Sequence, residues 1–422
     1  MRYACVTPFT TAVKAASPLL MTSSSLSHTA VALAAPGFWE KLVDRYATRF
    51  AARPTKVRAY RELVAAGVME EMTAAYRSLR LRLAAPAVLR LNRSGGRRKT
   101  VYLFPSREDL FLKGVNATLQ PLAHLHSPLC HSFQQGRGVR TAYAALREMV
   151  GIERLACLHV DVRDFFASIP PRRLLDSLPP QLAGDEPLSA LLREMLRQDE
   201  RGVLAGTPLA PLLSNIYLRP LDDMFHTLGT RYLRYADDIV VFCEATAVVE
   251  NQRQIEAVLS DLDLEANPQK LRISGPGEAW EFLGLRHEHG RIDLAASTVS
   301  KMHHRVRRLA RRARPHRAAA RYVVRRLNRK LYGFGADVSA FTWSTWFFPL
   351  IQTDATLRRL DRDIQDQVRF AVTGRHERRN RGRVPYAALA DAGYLPLVTA
   401  FRAYRRGPGD YESLLGRRLR PT

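Results

Sequence analysis

The sequence predicts an α+β fold, and three observations carry the prediction. Short apolar, strand-like runs stand at unequal intervals, some as strand–turn–strand pairs, without the regular alternation of strand and helix that builds a parallel sheet. Long stretches of helical apolar spacing flank them on both sides. The charge is one-sided, with 65 Lys and Arg against 40 Asp and Glu, a net +25 over 422 residues. At 46% apolar content this length supports one elaborated enzyme or two to three domains. The basic excess points to a polyanionic partner, nucleic acid being the commonest; a solubility device is the bland alternative.

Residues 1–38 read as an extension outside the fold, either disordered or preceding an internal start at Met21; they hold no acidic residue. Residues 39–94 read as helical, with few breakers before Pro86. "NRSGGRRKTVYLFPSRED" is a glycine-broken basic loop entering a short strand. Helices follow to about residue 150, interrupted by "HSPLCHSFQQGRGVRTA". "LACLHVDVRDFFASI" is a buried strand, a turn and a helix. "LAGTPLAPLLSNIYLRPLDDMF" is a Gly-Pro loop running into a helix, and "RYLRYADDIVVF" a strand, tight turn and strand. "NPQKLRIS" reads as a strand and "EFLGLRHEHGRIDL" as a hairpin. From 291 to 372 the chain is basic and helical, broken near Pro315, and 373–422 is a basic linker with a helical extension. Cys5, Cys130, Cys157 and Cys243 lack C-x-x-C spacing, which argues against zinc and fits a reducing, cytoplasmic compartment. No run of about 18 apolar residues suggests a membrane span.

The chemistry centres on three acids. Asp161 ends one apolar run, and Asp237 and Asp238 sit at the turn of another. Carboxylates side by side in apolar surroundings need a compensating cation. If the two strands are neighbours, their ends bring Asp161 to Asp237. Hard oxygen ligands of this kind suit Mg²⁺, and two such ions serve phosphoryl transfer. An Asp-Asp pair alone is more often a turn or helix cap.

"VDVRDFFASI", "GTPLAPLLSNIYL", "RYADDIVVF", "NPQKLRIS" and "EFLGL" occur in that order, and together they resemble the palm motifs of reverse transcriptases. The likeness runs over roughly residues 95–335 and is greatest to bacterial kinds: group II intron, retron and stand-alone unknown-group or defence-associated enzymes. It implies a right hand, with fingers and palm over 95–290 and a helical thumb over 291–372. It implies two Mg²⁺ ions, dNTP substrates, an RNA template and a cDNA product. Asp161, Asp237 and Asp238 would be catalytic metal ligands, with the Val162 carbonyl beside them. Phe166 would be the gate against a ribose 2′-hydroxyl; of Phe165 and Phe166, one is expected to be plain core. Arg97, Arg98 and Lys99 would clamp the triphosphate. Gly206, Thr207 and Pro208 would border the incoming nucleotide, with Asn215 on the next helix. Lys270 would protonate the leaving pyrophosphate or be an exposed strand lysine. Leu283 and Gly284 would shape the primer grip, Tyr235 would contact nucleic acid, and Arg137 and Arg140 would meet the template. Arg305, Arg308, Arg312, Arg326 and Lys330 would contact phosphates. His159 falls on the same strand face as Asp161, and Asp164 reads as a cap.

The chain departs from group II intron and retron enzymes at Ala205, where those carry glutamine. No Cys/His-rich endonuclease module is visible, and "VTG" at Val372–Gly374 lies far beyond the primer grip. The helical extensions resemble stand-alone enzymes, several of which serve antiphage defence. The rival readings are a group II intron-type maturase or RNA-binding scaffold that does not need polymerisation, and an RNA-dependent RNA polymerase. The template RNA, the priming mode and the oligomeric state are not encoded legibly.

Overall fold

The computed structural model describes residues 27–49, 54–92, 98–198, 202–333 and 342–419. Among these, the strands form three sheets, all antiparallel. Strands β1 (Ala87–Asn92) and β2 (Arg98–Leu103) make a two-stranded ribbon. The central sheet contains β3 (Ala156–Asp161), β4 (Arg231–Tyr235), β5 (Asp238–Cys243) and β6 (Arg272–Ser274), in the order β4-β5-β3-β6. A meander of β7 (Trp280–Phe282), β8 (Leu285–Glu288) and β9 (Arg291–Leu294) follows.

The central strands are apolar and β-branched, and both sheet faces are covered. Side chains alternate between faces. Leu158, Val160, Ile239 and Val241 join one core, which includes the N-terminal helices and the helices Ser106–Leu119, Glu186–Leu196, Ala210–Tyr217, Arg219–Leu228 and Val248–Asp261. Cys157, Val240 and Phe242 join a second core with the meander and the helices Ala296–Ala313, Ala319–Tyr332, Trp343–Phe347 and Ala355–Thr373. Asp161 and Asp238 lie on this second face, at its rim.

The structure departs from the sequence reading in four places. Residues 28–33, assigned to the extension, form a helix with Thr29, Ala30 and Leu33 buried. Ser27 and Thr29 hydroxyls anchor it to Asp185, at 2.7 and 2.9 Å; residues 1–26 lie outside the described residues. Residues 87–92, placed in a helical region, are strand β1, because Val88, Leu89 and Leu91 pair with the basic strand after them. Lys270 lies in a turn rather than a strand, since the edge strand β6 starts only at Arg272. The predicted hairpin after residue 280 has a third strand. Val372–Gly374 closes the helix Ala355–Thr373, with Gly374 in the left-handed region that such a C-terminus favours.

Candidate active site

The carboxylates meet because two apolar strands end together. Asp161 and Asp238 are direct partners in the β3–β5 register. Asp237 shares a two-residue turn with Ala236, across which Tyr235 pairs with Asp238. The Val162 N–H donates to the Asp237 carbonyl at 3.2 Å, tying the turn to the chain just past Asp161.

The three acids have different surroundings. Asp161 is buried, and Lys270 Nζ donates to it at 2.5 Å while Asn267 Nδ2 reaches it at 3.4 Å. His159 Nε2 lies 3.3 Å from Asp238 Oδ1, so the strand face shared with Asp161 is used. Asp237 meets like charge instead. Burial first, then the negative charges of Asp238 and Asp161, push its carboxyl up to about 6. Among the described residues, no three ligating side chains are gathered closely enough to cage a metal alone. The donor set still fits Mg²⁺, which takes one or two carboxylates and completes its shell with waters and substrate phosphates.

The two adjacent rings Phe165 and Phe166 have different surroundings. Phe165 is core, 3% exposed, while Phe166 is only partly buried. The Phe166 ring lies 6.4 Å from that of Phe133, and Lys99 Nζ stands 5.7 Å over its face. The loop through Gly206, Thr207 and Pro208 presses against β2. A Cβ on Gly206 would fall 2.5 Å from Val101 Cγ1 and 2.9 Å from the Tyr102 carbonyl oxygen, and its φ of +103° suits glycine. Ala205 uses its carbonyl to accept the Tyr102 N–H at 2.8 Å. This loop therefore joins the β1–β2 ribbon to the start of the helix Ala210–Tyr217.

A cleft of about 1370 Å³ opens from the carboxylates toward the basic helices. Asp161, Asp237, Asp238 and Lys270 line it together with Leu283 and Gly284, which turn between β7 and β8. Gly284 backs directly onto Thr298, whose hydroxyl a Cβ would approach to 2.6 Å. Arg305, Arg308 and Lys330 line the same cleft. Burial and the neighbouring Arg305 pull the Lys330 ammonium below its usual range. Cations crowd one wall as carboxylates crowd another.

Other expected contacts do not converge on the cleft. Arg312 and Arg326 are absent from its walls, and Arg326 stacks over Tyr322 at 4.5 Å. Arg137 donates to the carbonyls of Pro128 and Cys130, at 2.6 and 3.2 Å, and so closes its own loop. Arg140 is exposed on the helix Val139–Glu148, also off the cleft. Arg98 is exposed at the start of β2; Arg97 lies outside the described residues. The Asp164 side chain makes no cap hydrogen bond, although the residue does occupy the cap position.

An aromatic wall escaped the sequence reading. Trp280, Trp343, Trp346 and Phe347 line the cleft, and Trp346 meets Tyr235 edge-on at 6.1 Å. The available signal was "TWSTWFF", with two tryptophans three residues apart on one helical face.

Comparison with known proteins adds a family to this geometry. Two solved structures are similar at 9% identity and a TM-score of 0.39. One is telomerase from Candida albicans in complex with the TWJ fragment of telomeric RNA, covering 86% of this chain and 71% of that one. The other is apo telomerase from Candida tropicalis truncated from its C-terminal domain, covering 54% of this chain and 60% of that one. At that score neither bears on function. No curated protein sequence matches the chain significantly. Residues 109–287, somewhat under half of the chain, match the family model described as reverse transcriptase (RNA-dependent DNA polymerase). The segment that folds into most of the central sheet and carries Asp161, Asp237 and Asp238 is thus the part of the chain that is similar to reverse transcriptases.

Proposed function

We propose that the protein is an RNA-directed DNA polymerase that adds dNTPs to a primer on an RNA template, with the central sheet as palm, the β1–β2 ribbon within the fingers and the basic helices as thumb. The observation that carries the reading is the pairing of Asp161 with Asp238, with Asp237 between the strands, at the head of a cleft whose far wall is cationic. Asp161, Asp237 and Asp238, with the Val162 carbonyl, would hold two Mg²⁺ ions. Bound there, the ions would activate the primer 3′-oxygen and neutralise charge on the leaving oxygen. The 3′-oxygen forms a bond to the α-phosphorus, and the bond from that phosphorus to the bridging oxygen breaks. Pyrophosphate leaves, and the 3′-hydroxyl proton passes to solvent. Lys270 is held by Asp161 in the structure. Its place beside the acids suits it to move onto the pyrophosphate once other cations take over its carboxylate. Phe166 would act as the gate against a 2′-hydroxyl, and Lys99, 5.7 Å over its ring, would meet the triphosphate. Arg305, Arg308 and Lys330 would hold the template–primer backbone, giving affinity and salt dependence without sequence choice.

The finer reading is a stand-alone enzyme serving antiphage defence, supported by the helical extensions that flank the segment similar to reverse transcriptases. The test is primer extension by the purified protein on an RNA template with dNTPs and Mg²⁺, beside Asp237→Ala. Extension by the wild type, abolished by the variant and by EDTA, is expected. Nucleic-acid binding with no extension under any metal or template would instead favour the scaffold. For the cellular role, Asp237→Ala should lose phage protection; a variant that still protects would show that polymerisation is not the required activity.

A further inference from the structure

The sheet face opposite the carboxylates holds an arginine with no access to solvent. Arg234 is 0% exposed, and so is its partner Asp222. All five guanidinium hydrogens have acceptors. Nε and Nη2 donate to the two Asp222 oxygens at 2.7 and 2.6 Å. Nη1 reaches Asn215 Oδ1 at 3.1 Å and the Ala236 carbonyl at 3.2 Å, and Nη2 reaches the Asn215 carbonyl at 3.5 Å. Tyr232 donates its hydroxyl to Asp222 at 2.7 Å.

A buried ion pair is a poor way to stabilise a core. Apolar residues of similar volume usually do as well or better, because both charges must lose water. The pair is better explained by what it holds. Ala236 has a φ of +59°, a left-handed conformation that a residue with a Cβ avoids. Both of its backbone polar groups are held by side chains. Arg234 takes the carbonyl, and Ser132 Oγ accepts the N–H at 2.8 Å. Ser132 is itself gripped, with its carbonyl accepting from Asn215 Nδ2 at 2.8 Å. The next residue is Asp237.

Resting on the polymerase reading above, we propose that Arg234 and Ser132 are positioning residues. From the back of the sheet they fix the Ala236 peptide units, and so the direction in which the turn presents Asp237 and Asp238. Neither touches the cleft. Lysine cannot replace Arg234, because an ammonium lacks the planar fork that spans Asp222, Asn215 and Ala236 together.

The decisive variant is Ser132→Ala, which removes one hydroxyl and leaves the ion pair intact. Arg234→Lys is the second. Single-turnover extension on an RNA template, the dNTP concentration dependence, template–primer affinity and the thermal midpoint are measured together. The expected result for Ser132→Ala is a rate loss of about tenfold or more, equal to about 1.4 kcal/mol. Nucleotide and template–primer affinity should stay within about twofold, and the midpoint within about 3 °C. Arg234→Lys should behave likewise where it folds. A loss under about fivefold in Ser132→Ala would overturn the proposal, as would a rate that falls only together with the midpoint. If the wild type itself extends no primer, the polymerase reading has failed; if it extends and Ser132→Ala matches it, only the positioning role has.

Discussion

The two faces of the central sheet treat buried charge in opposite ways. On the back, Asp222 is matched by Arg234, Tyr232 completes the set, and every guanidinium hydrogen is bonded. On the front, Asp237 is buried beside two further carboxylates, and its proton affinity rises, first through burial and then through their negative charge. Charge is settled internally where its task is structural. On the front Lys270 pairs with Asp161, while Asp237 stays among like charges, where the proposed Mg²⁺ would arrive. The front is therefore stable only to the degree that the rest of the fold holds it, which is the usual strain of a functional site.

The largest test of that contrast is Asp237→Asn. Activity should fall at least about 10³-fold, a barrier increase of about 4 kcal/mol. Stability in EDTA should hold or rise by about 1 kcal/mol, since a repelled charge is removed. Urea unfolding of the variant measures the second effect, and a clear destabilisation would contradict the account of the front face. On the back, Asp222→Asn should cost about 3–4 kcal/mol, because it leaves a buried guanidinium without its counter-charge. The double variant Asp222→Leu with Arg234→Met should recover most of that stability without recovering the rate of extension.

A smaller effect concerns acid. His287 stacks on Trp280, with ring centroids 3.7 Å apart, and its Nε2 is buried with no hydrogen-bond partner. Burial, then the nearby Arg147, lowers its pKa to about 3 from an ordinary 6.5. Between these values the unfolded chain binds the proton and the native one does not. Stability should therefore fall as pH drops below about 6.5, by about 2 kcal/mol at pH 5. His287→Phe should flatten that part of the pH–stability curve; an unchanged slope would mean that the ring takes up its proton freely in the fold. The smallest expected effect is at the gate. Phe166→Ala should relax discrimination against rNTPs by about tenfold, or about 1.4 kcal/mol, in competing single-nucleotide additions. Equal use of rNTPs by wild type and variant would favour the RNA polymerase reading.

Much of the front face was legible because its signals are local. An apolar β-branched run that ends in an acid says strand and rim, and the Asp-Asp turn between two such runs says hairpin. The ordered motifs then named the partners. Phe165 and Phe166 were ambiguous, because adjacent aromatics on a short turn differ only in what packs on them. The basic helices were legible as a class but not residue by residue. Arg305 and Arg308 face the cleft, whereas Arg326 spends its charge on Tyr322 and Arg137 on its own loop. Helical spacing ranks the faces of one helix; it does not say which neighbouring segment each face meets.

By itself the sequence determined the α+β class, the strand ends that carry three acids and the one-signed character of the later helices, because each depends on spacing or composition along a short stretch. Only the tertiary structure decided that the helix His28–Leu33 is docked, that aromatic residues from 343–347 line the same cleft as the acids, and that Arg234 holds Ala236 from behind. Those outcomes join segments up to about 160 residues apart, such as Ser27 to Asp185. They are set by which surfaces close against each other when the two cores form.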